Sequence, residues 1–245
     1  MLIFSDKAVE YMDFGRVFQE ALPMLLDGLW LTVKVSVISI AIGMVIGLFM
    51  CLMKMSKNVV LRAIAGVYIW IIRGTPMLVQ ALMIFFGLPQ LIQLTINPDF
   101  RLDAFTAGII TLSLNAGAYL AEIYRGGIMA VPKGQSEAAR SLGLSQGMTM
   151  LKVVLPQAIK FSIPSLVNQF IITIKDTSIL SVIGMAEIVN KAKTYVGSTY
   201  VYFATYAVVA LMYLLIISIL MIVSGYIEKK LKYEAKRGKR HRDEH

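Results

Sequence analysis

The stretch that decides the fold is Glu137-Ala138-Ala139-Arg140-Ser141-Leu142-Gly143, with Leu155-Pro156 following it at the head of another apolar run. Pro132 and Gly134 end what precedes it, and 135–142 has room for about two turns of helix. Gly143 supplies a left-handed stop at which the chain reverses. Ser145 stands ready to cap the next helix, and Leu155-Pro156 marks a break in it. This is a polar, small-residue hairpin set between membrane-length hydrophobic segments. A hairpin in that position needs a partner outside the lipid. Ala138, Ala139 and Leu142 make a low apolar surface for such a partner, with Glu137 and Arg140 flanking it to fix orientation by charge.

Outward from the hairpin the chain is too apolar for a soluble core. Of 245 residues, 57% are hydrophobic and only 16% charged, and the mean hydropathy is +0.70. A helix needs about 20 apolar residues to cross the hydrocarbon, so the length accommodates around five spans with short connections in one all-α membrane domain, 1–245. Uninterrupted apolar runs place them near 28–53, 59–91, 104–123, 153–173 and 202–227. The second is too long for one straight crossing and is broken around Arg73-Gly74-Thr75-Pro76. A weaker run at 179–188 is too short to span; it either enters and turns back or forms a short helix over a pore mouth.

Three connections collect Lys and Arg: Lys54, Lys57 and Arg62; then 124–152, with Arg125, Lys133, Arg140 and Lys152; then the tail at 228–245. Cytoplasmic loops carry that excess, so an odd number of spans puts the N-terminus outside and the C-terminus inside. Segment 1–27 carries Asp6, Glu10 and Asp13 where a secretory leader would be basic. Its Phe14, Val17, Phe18, Ala21, Leu22 and Leu25 recur at helical spacing opposite Arg16, Gln19 and Glu20. That pattern fits an outer segment lying in the membrane interface, or equally a soluble cap helix.

The formal charge of +9 sits largely in the tail, where Lys229, Lys230, Lys232, Lys236, Arg237, Lys239, Arg240 and Arg242 read as an anchor against anionic lipid. Nothing here forms a basic face on a folded nucleic-acid reader. Cys51 is the sole cysteine, and both histidines, His241 and His245, lie in the tail, so neither a disulfide nor a Cys/His metal site is expected. A Gly-x4-Gly-Lys-Ser/Thr phosphate loop is absent.

The spacing from Glu137-Ala138-Ala139 through Gly143 to Val153 and Leu155-Pro156 resembles the "EAA loop" of permeases of bacterial ATP-binding-cassette (ABC) importers. Arg73-Gly74-Thr75-Pro76, Asn115-Ala116-Gly117-Ala118-Tyr119 to Glu122, Gly134-Gln135, Leu155-Pro156-Gln157-Ala158 and Lys175-Asp176-Thr177-Ser178 look like the motif series of permeases that import polar amino acids. Val153, where that loop often has Ile, is a conservative departure. The resemblance implies a five-span type I importer permease without catalysis of its own and without a cofactor. It implies a separate ABC ATPase that grips Glu137, Ala138, Ala139, Arg140, Leu142 and Gly143, an extracytoplasmic amino-acid-binding protein, and a second permease copy or close homologue.

Polar groups at bilayer depth cost several kcal/mol unless paired or wetted. Thr111, Asn115, Tyr119 and Glu122 fall on one helical stripe that should face the bundle interior or a watery path. Arg73, Met77, Gln80 and Ile84 form a second, mixed stripe beside the break. A third polar source runs from Asn168 to Thr177. An amino acid needs an anion partner, a cation partner and amide-type hydrogen bonds, which Arg73 or Lys175, Glu122 or Asp176, and Asn115 or Gln80 supply. Lys175 and Asp176 diverge by about 100° on a helix, so at least one pairs elsewhere. The substrate path is therefore assigned to Gln80, Asn115, Tyr119 and Glu122, and gating or intramembrane pairing to Arg73, Lys175 and Asp176. The plainer reading keeps Glu122 at a span end beside Arg125 and uses Asn115 to join helices. A secondary transporter driven by an ion gradient is the rival function, and it calls for inverted repeats that the chain does not display.

Overall fold

The computed structural model describes residues 12–243, with side chains to Lys230. Every regular element among the described residues is helical: α1 (Phe14–Met55), α2 (Val59–Gly74), α3 (Met77–Thr95), α4 (Ala104–Met129), α5 (Lys133–Ser141), α6 (Gln146–Ile183), α7 (Ile188–Thr199) and α8 (Tyr202–Asp243). Five of them, α1, α3, α4, α6 and α8, are long and apolar enough to cross a bilayer. Asp6, Glu10 and the tail cations from Lys232 onward lie outside the described side chains.

Three helices continue through a proline by a common local device, one of them at Leu155-Pro156, where the sequence suggests a break. The wide π turns Val17–Ala21, Met83–Gly87 and Met150–Val154 each end two residues before a proline: Pro23, Pro89 and Pro156. A proline has no N–H to donate and its ring collides with the carbonyl four residues back. That carbonyl belongs to Gln19, Phe85 or Lys152, each inside the widened turn, where the looser winding relieves the collision. Leu155-Pro156 is accordingly no break, and α6 runs unbroken from the hairpin into the bundle.

The same device alters the reading of segment 1–27. From Phe14 onward it is the first part of α1, and its apolar side, Val17, Ala21 and Leu25, is fully buried against Ile188, Ala192 and Val196 of α7, Val201 just before α8, and Ala204 and Val208 of α8. The amphipathic spacing was there to read, but its counterpart was a protein surface rather than lipid or water.

The frame of the bundle is the pair α1 and α4. A Cβ on Gly43 would meet Ala116 Cβ at 3.0 Å, and one on Gly47 would meet Leu120 Cβ at 2.7 Å and Ala121 N at 3.0 Å. Small residues let backbones approach where lipid gives little hydrophobic drive for association. Both positions advance together along the two helices, so α1 and α4 run parallel. Their C-terminal ends, with Lys54 on one and Arg125 on the other, lie at the same side of the bundle. Gly28, near the start of α1, packs against Ile188 of α7 at the opposite side.

The run 179–188 resolves into two parts. Thr177–Ile183 continues α6 as a 3-10 turn, and Gly184 at φ 80° stops it. The Gly184 N–H donates to Ser181 O and the Met185 N–H to Leu180 O, after which Glu187 caps α7. The run 179–188 is therefore neither a re-entrant loop nor a separate short helix but the end of α6 and the turn into α7, which begins only at its last residue, Ile188.

Candidate functional site

The hairpin follows from its sequence almost residue by residue. Pro132 sits at the N-cap of α5. At the other end Gly143 has φ 84°, its N–H donates to Arg140 O at 2.9 Å, and the Leu144 N–H donates to Ala139 O at 3.2 Å. This pair of bonds satisfies two of the last carbonyls and reverses the chain. Ser145 Oγ then accepts from Met148 N at 3.4 Å to start α6. The alanine pair, however, is split. Ala138 is exposed and Leu142 is 82% exposed, whereas Ala139 is 6% exposed and belongs to the chain's own packing. The outward surface is therefore Glu137, Ala138, Arg140 and Leu142 around the Gly143 turn.

Within the bundle the stripe on α4 also divides. Thr111 is fully buried and donates to Ala107 O of its own helix. Asn115 is 8% exposed and donates through Nδ2 to Gln80 Oε1 at 3.2 Å. Gln80 in turn donates through Nε2 to Ile72 O at 2.7 Å, Thr75 O at 3.0 Å and Thr75 Oγ1 at 2.9 Å. Two of those acceptors, Ile72 O and Thr75 O, are backbone carbonyls freed by the break between α2 and α3. Gln80 and Asn115 are brought together, and what they hold is the break itself.

Further along α4 the stripe opens to solvent. Tyr119 and Glu122, with Arg73 from α2 and Phe161, Ser162 and Ser165 from α6, line a cleft of about 360 Å³. The Arg73 guanidinium lies 5.1 Å from the Tyr119 ring centre, within cation–π range. The Glu122 carboxylate accepts from Arg125 Nη2 at 2.6 Å and Nε at 3.1 Å, so the pairing with Arg125 is present while Glu122 still borders the cleft. Gly126 and Gly127 also line it; a Cβ on Gly127 would run into Ser162 Oγ. Serines 162 and 165 escape a sequence reading because they look like ordinary helix-facing hydroxyls. Their only signal is their place one turn apart, around Pro164.

Lys175 and Asp176 are not brought to this cleft. Lys175 is exposed and Asp176 half-buried, and neither has an ion-pair partner among the described residues. Thr177 is fully buried and bonded to Ile174 O. A buried carboxylate that the sequence did not single out is Glu187. It is fully enclosed, accepts from Asn190 N at 2.7 Å, Val189 N at 3.0 Å and Tyr213 Oη at 3.5 Å, and burial pushes its pKa up to about 7. No group of three or more metal-ligating side chains occurs among the described residues.

Residues 39–233 match the family described as the binding-protein-dependent transport system inner membrane component. The arginine transport system permease protein ArtQ of Bacillus subtilis is 37% identical over 221 residues, 90% of this chain and 98% of that one. The glutamine transport system permease protein GlnP of Escherichia coli K12 is 38% identical over 212 residues, covering 86% and 94%. Among solved structures, an amino acid ABC transporter crystallised with histidines is 40% identical and superposes with a TM-score of 0.83 over 89% of this chain and 98% of that one. The inward-facing MetNI methionine ABC transporter, 19% identical over 85% of this chain and 96% of its own, shares the fold at a TM-score of 0.70. The architecture is that of type I ABC importer permeases, and subunits of this kind carry no catalysis, ATP hydrolysis belonging to a separate chain. With five membrane-length helices, an exposed hairpin between them and a match across most of its length, the chain belongs to the inner-membrane components of binding-protein-dependent transport systems.

Proposed function

We propose that the chain is the permease of an importer for a polar amino acid, working by alternating access. The observation that carries this is the cleft where a guanidinium, a carboxylate and two serine hydroxyls converge. An α-carboxylate fits opposite Arg73 and an α-ammonium opposite Glu122, with Ser165 as a neutral donor or acceptor and Ser162, whose proton goes to Ala158 O at 2.9 Å, as an acceptor. Glu122 would exchange its bond to Arg125 for one to the substrate. Gln80 and Asn115 support the site by fixing the α2–α3 break rather than by touching the substrate. The relatives named for arginine and glutamine transport, and the amino acid ABC transporter solved with histidines, are consistent with an amino acid cargo without selecting one.

The lever is α5. Its end of the bundle gathers Lys54, Lys57, Arg62, Arg125, Lys133, Arg140 and Lys152, which supports a cytoplasmic placement, with the start of α1 and α7 outside. An ABC ATPase would then grip Leu142, Ala138 and Arg140. Because α6 continues from the hairpin without a break, a push on α5 is transmitted along a rigid rod. Lys175 and Asp176, without an ion-pair partner among the described residues, suit contacts to a second permease copy across the pathway. An extracytoplasmic binding protein would deliver to the α7 end.

The test is uptake by the chain reconstituted with its ATPase and binding protein, with a panel of unlabelled amino acids as competitors. Competition by one polar class, lost in Arg73→Gln and Glu122→Gln without loss of ATPase association, is the expected result. Uptake driven by a proton gradient in the lone chain would overturn the proposal.

A further inference from the structure

Where α1 ends and α2 begins, the surface carries a groove of about 400 Å³ lined by Lys54, Val59, Arg62, Gly66, Val67 and Trp70. It lies outside the cleft described above and shares no residue with it. We propose that this groove binds the phosphate headgroup of an anionic membrane lipid, one per chain, with its acyl chains running along α2. The inference does not depend on which amino acid is carried, or on the Arg73–Glu122 cleft being the transport site.

Three observations converge on a lipid phosphate. The first is charge without compensation. No carboxylate lies within ion-pair distance of Lys54 or Arg62 among the described residues. The acid whose charge interacts with Lys54, Glu122, is already engaged by Arg125. The same corner holds the N-terminal end of the 16-residue α2, whose dipole adds positive potential.

The second is shape. A Cβ on Gly66 would lie 2.9 Å from Lys54 Nζ, so the ammonium folds down onto α2 at a position that has no side chain. A lysine at a helix end ordinarily extends to water; here its charge is turned toward the groove. The third is the wall. Val59, Val67 and Trp70 follow one helical stripe and are 65%, 54% and 75% exposed. A free phosphate has no use for that apolar track, whereas an acyl chain does. Basic pockets between spans are a known chemistry for acidic headgroups.

A second copy of the chain is a poor occupant. A two-fold contact through this groove would set Lys54 and Arg62 against their own duplicates with no acid between them.

The experiment uses the detergent-purified permease with its partner subunits, titrated with phosphatidylglycerol or phosphatidylcholine and read by native mass spectrometry. One phosphatidylglycerol per chain, retained in preference to phosphatidylcholine, is expected. Lys54→Gln with Arg62→Gln should weaken it by about 10- to 30-fold, since each cation near an anionic surface contributes on the order of 1 kcal/mol. Lys152→Gln, which removes a charge at the same end of the bundle, should not. Gly66→Leu, with both cations intact, should also release the lipid by filling the seat. Equal retention of the two lipids, or equal loss in the Lys152 variant, overturns the proposal. Displacement by inorganic phosphate at matched concentration would reassign the groove to a soluble anion. A disulfide between Trp70→Cys positions of two copies in membranes would show it covered by protein, with the same consequence.

Discussion

Asn115 reaches across from α4 to Gln80 on α3 at 3.2 Å, and that single bond ties the most buried helix of the bundle to the interruption in its neighbour. The energetics are uneven. Removing the Asn115 amide leaves one acceptor on Gln80 without a partner, whereas removing Gln80 strips the Nε2 donor from Ile72 O and from both Thr75 oxygens. At about 1 kcal/mol for each net bond, and more for a buried group left bare, Gln80→Ala should cost roughly 2–4 kcal/mol and Asn115→Ala roughly half that. Thermal unfolding in detergent would check the order. A larger loss for Asn115 would mean that the break is held by something else.

The α1–α4 and α4–α6 crossings predict a steep dependence on side-chain size at positions that look interchangeable in the sequence. Gly47→Ala drives a methyl to 2.7 Å from Leu120 Cβ and 3.0 Å from backbone atoms of α4, and Gly127→Ala meets Ser162 and the Ala158 carbonyl. Overpacking of this kind costs about 1–3 kcal/mol. Gly126→Ala and Gly134→Ala meet nothing within 4 Å and should leave the melting temperature where it is. Uniform behaviour across the four would deny that close backbone contact organises the bundle.

The contrast among those glycines shows what a sequence can and cannot convey. Five apolar runs, the interruption before Pro76 and the hairpin were all legible, because length, charge placement and a left-handed stop are local properties. Which glycine is pressed against a neighbour depends on the crossing point of two helices far apart in the chain. The same limit explains Phe14 to Leu25, whose periodicity was evident but whose partner, α7, lies some 170 residues on. It explains Ala139 as well, since a helix of two turns presents alanines 138 and 139 about 100° apart, and only the fold decides which one turns inward. Pro156 misled for a different reason: a widened turn upstream absorbs the ring, and no residue type signals it.

At the hairpin, conformation and contact can be separated. Nothing lies within 4 Å of a Cβ on Gly143, so the demand there is the backbone angle alone. Asn tolerates left-handed φ far better than a β-branched residue. Gly143→Asn should therefore preserve most ATP-driven uptake and Gly143→Val should abolish it, with both chains still inserted. Beside it, Leu142→Asp should weaken co-purification of the ATPase without lowering thermal stability, while Ala139→Leu should do the reverse, since its side chain is spent on the chain's own interior. Equal effects on ATPase binding would mean that α5 is gripped on both faces.

Glu187 gives the bundle a pH dependence whose direction can be worked out. Burial raises its pKa from the ordinary 4.5 to about 7, against the opposing hydrogen bonds from Val189, Asn190 and Tyr213 and the charge of Lys193. Between those two values the native state keeps the proton that the unfolded chain has released. The unfolded state then binds fewer protons, so stability declines as pH rises from about 4.5 through about 7 and levels off above it. Melting of the detergent-solubilised chain followed from about pH 5 to about pH 8 should show that decline. Glu187→Gln, which keeps an acceptor for the α7 N-terminus but carries no titrating proton, should flatten the profile. Parallel slopes in the two proteins would place the titration elsewhere and leave Glu187 as a cap alone.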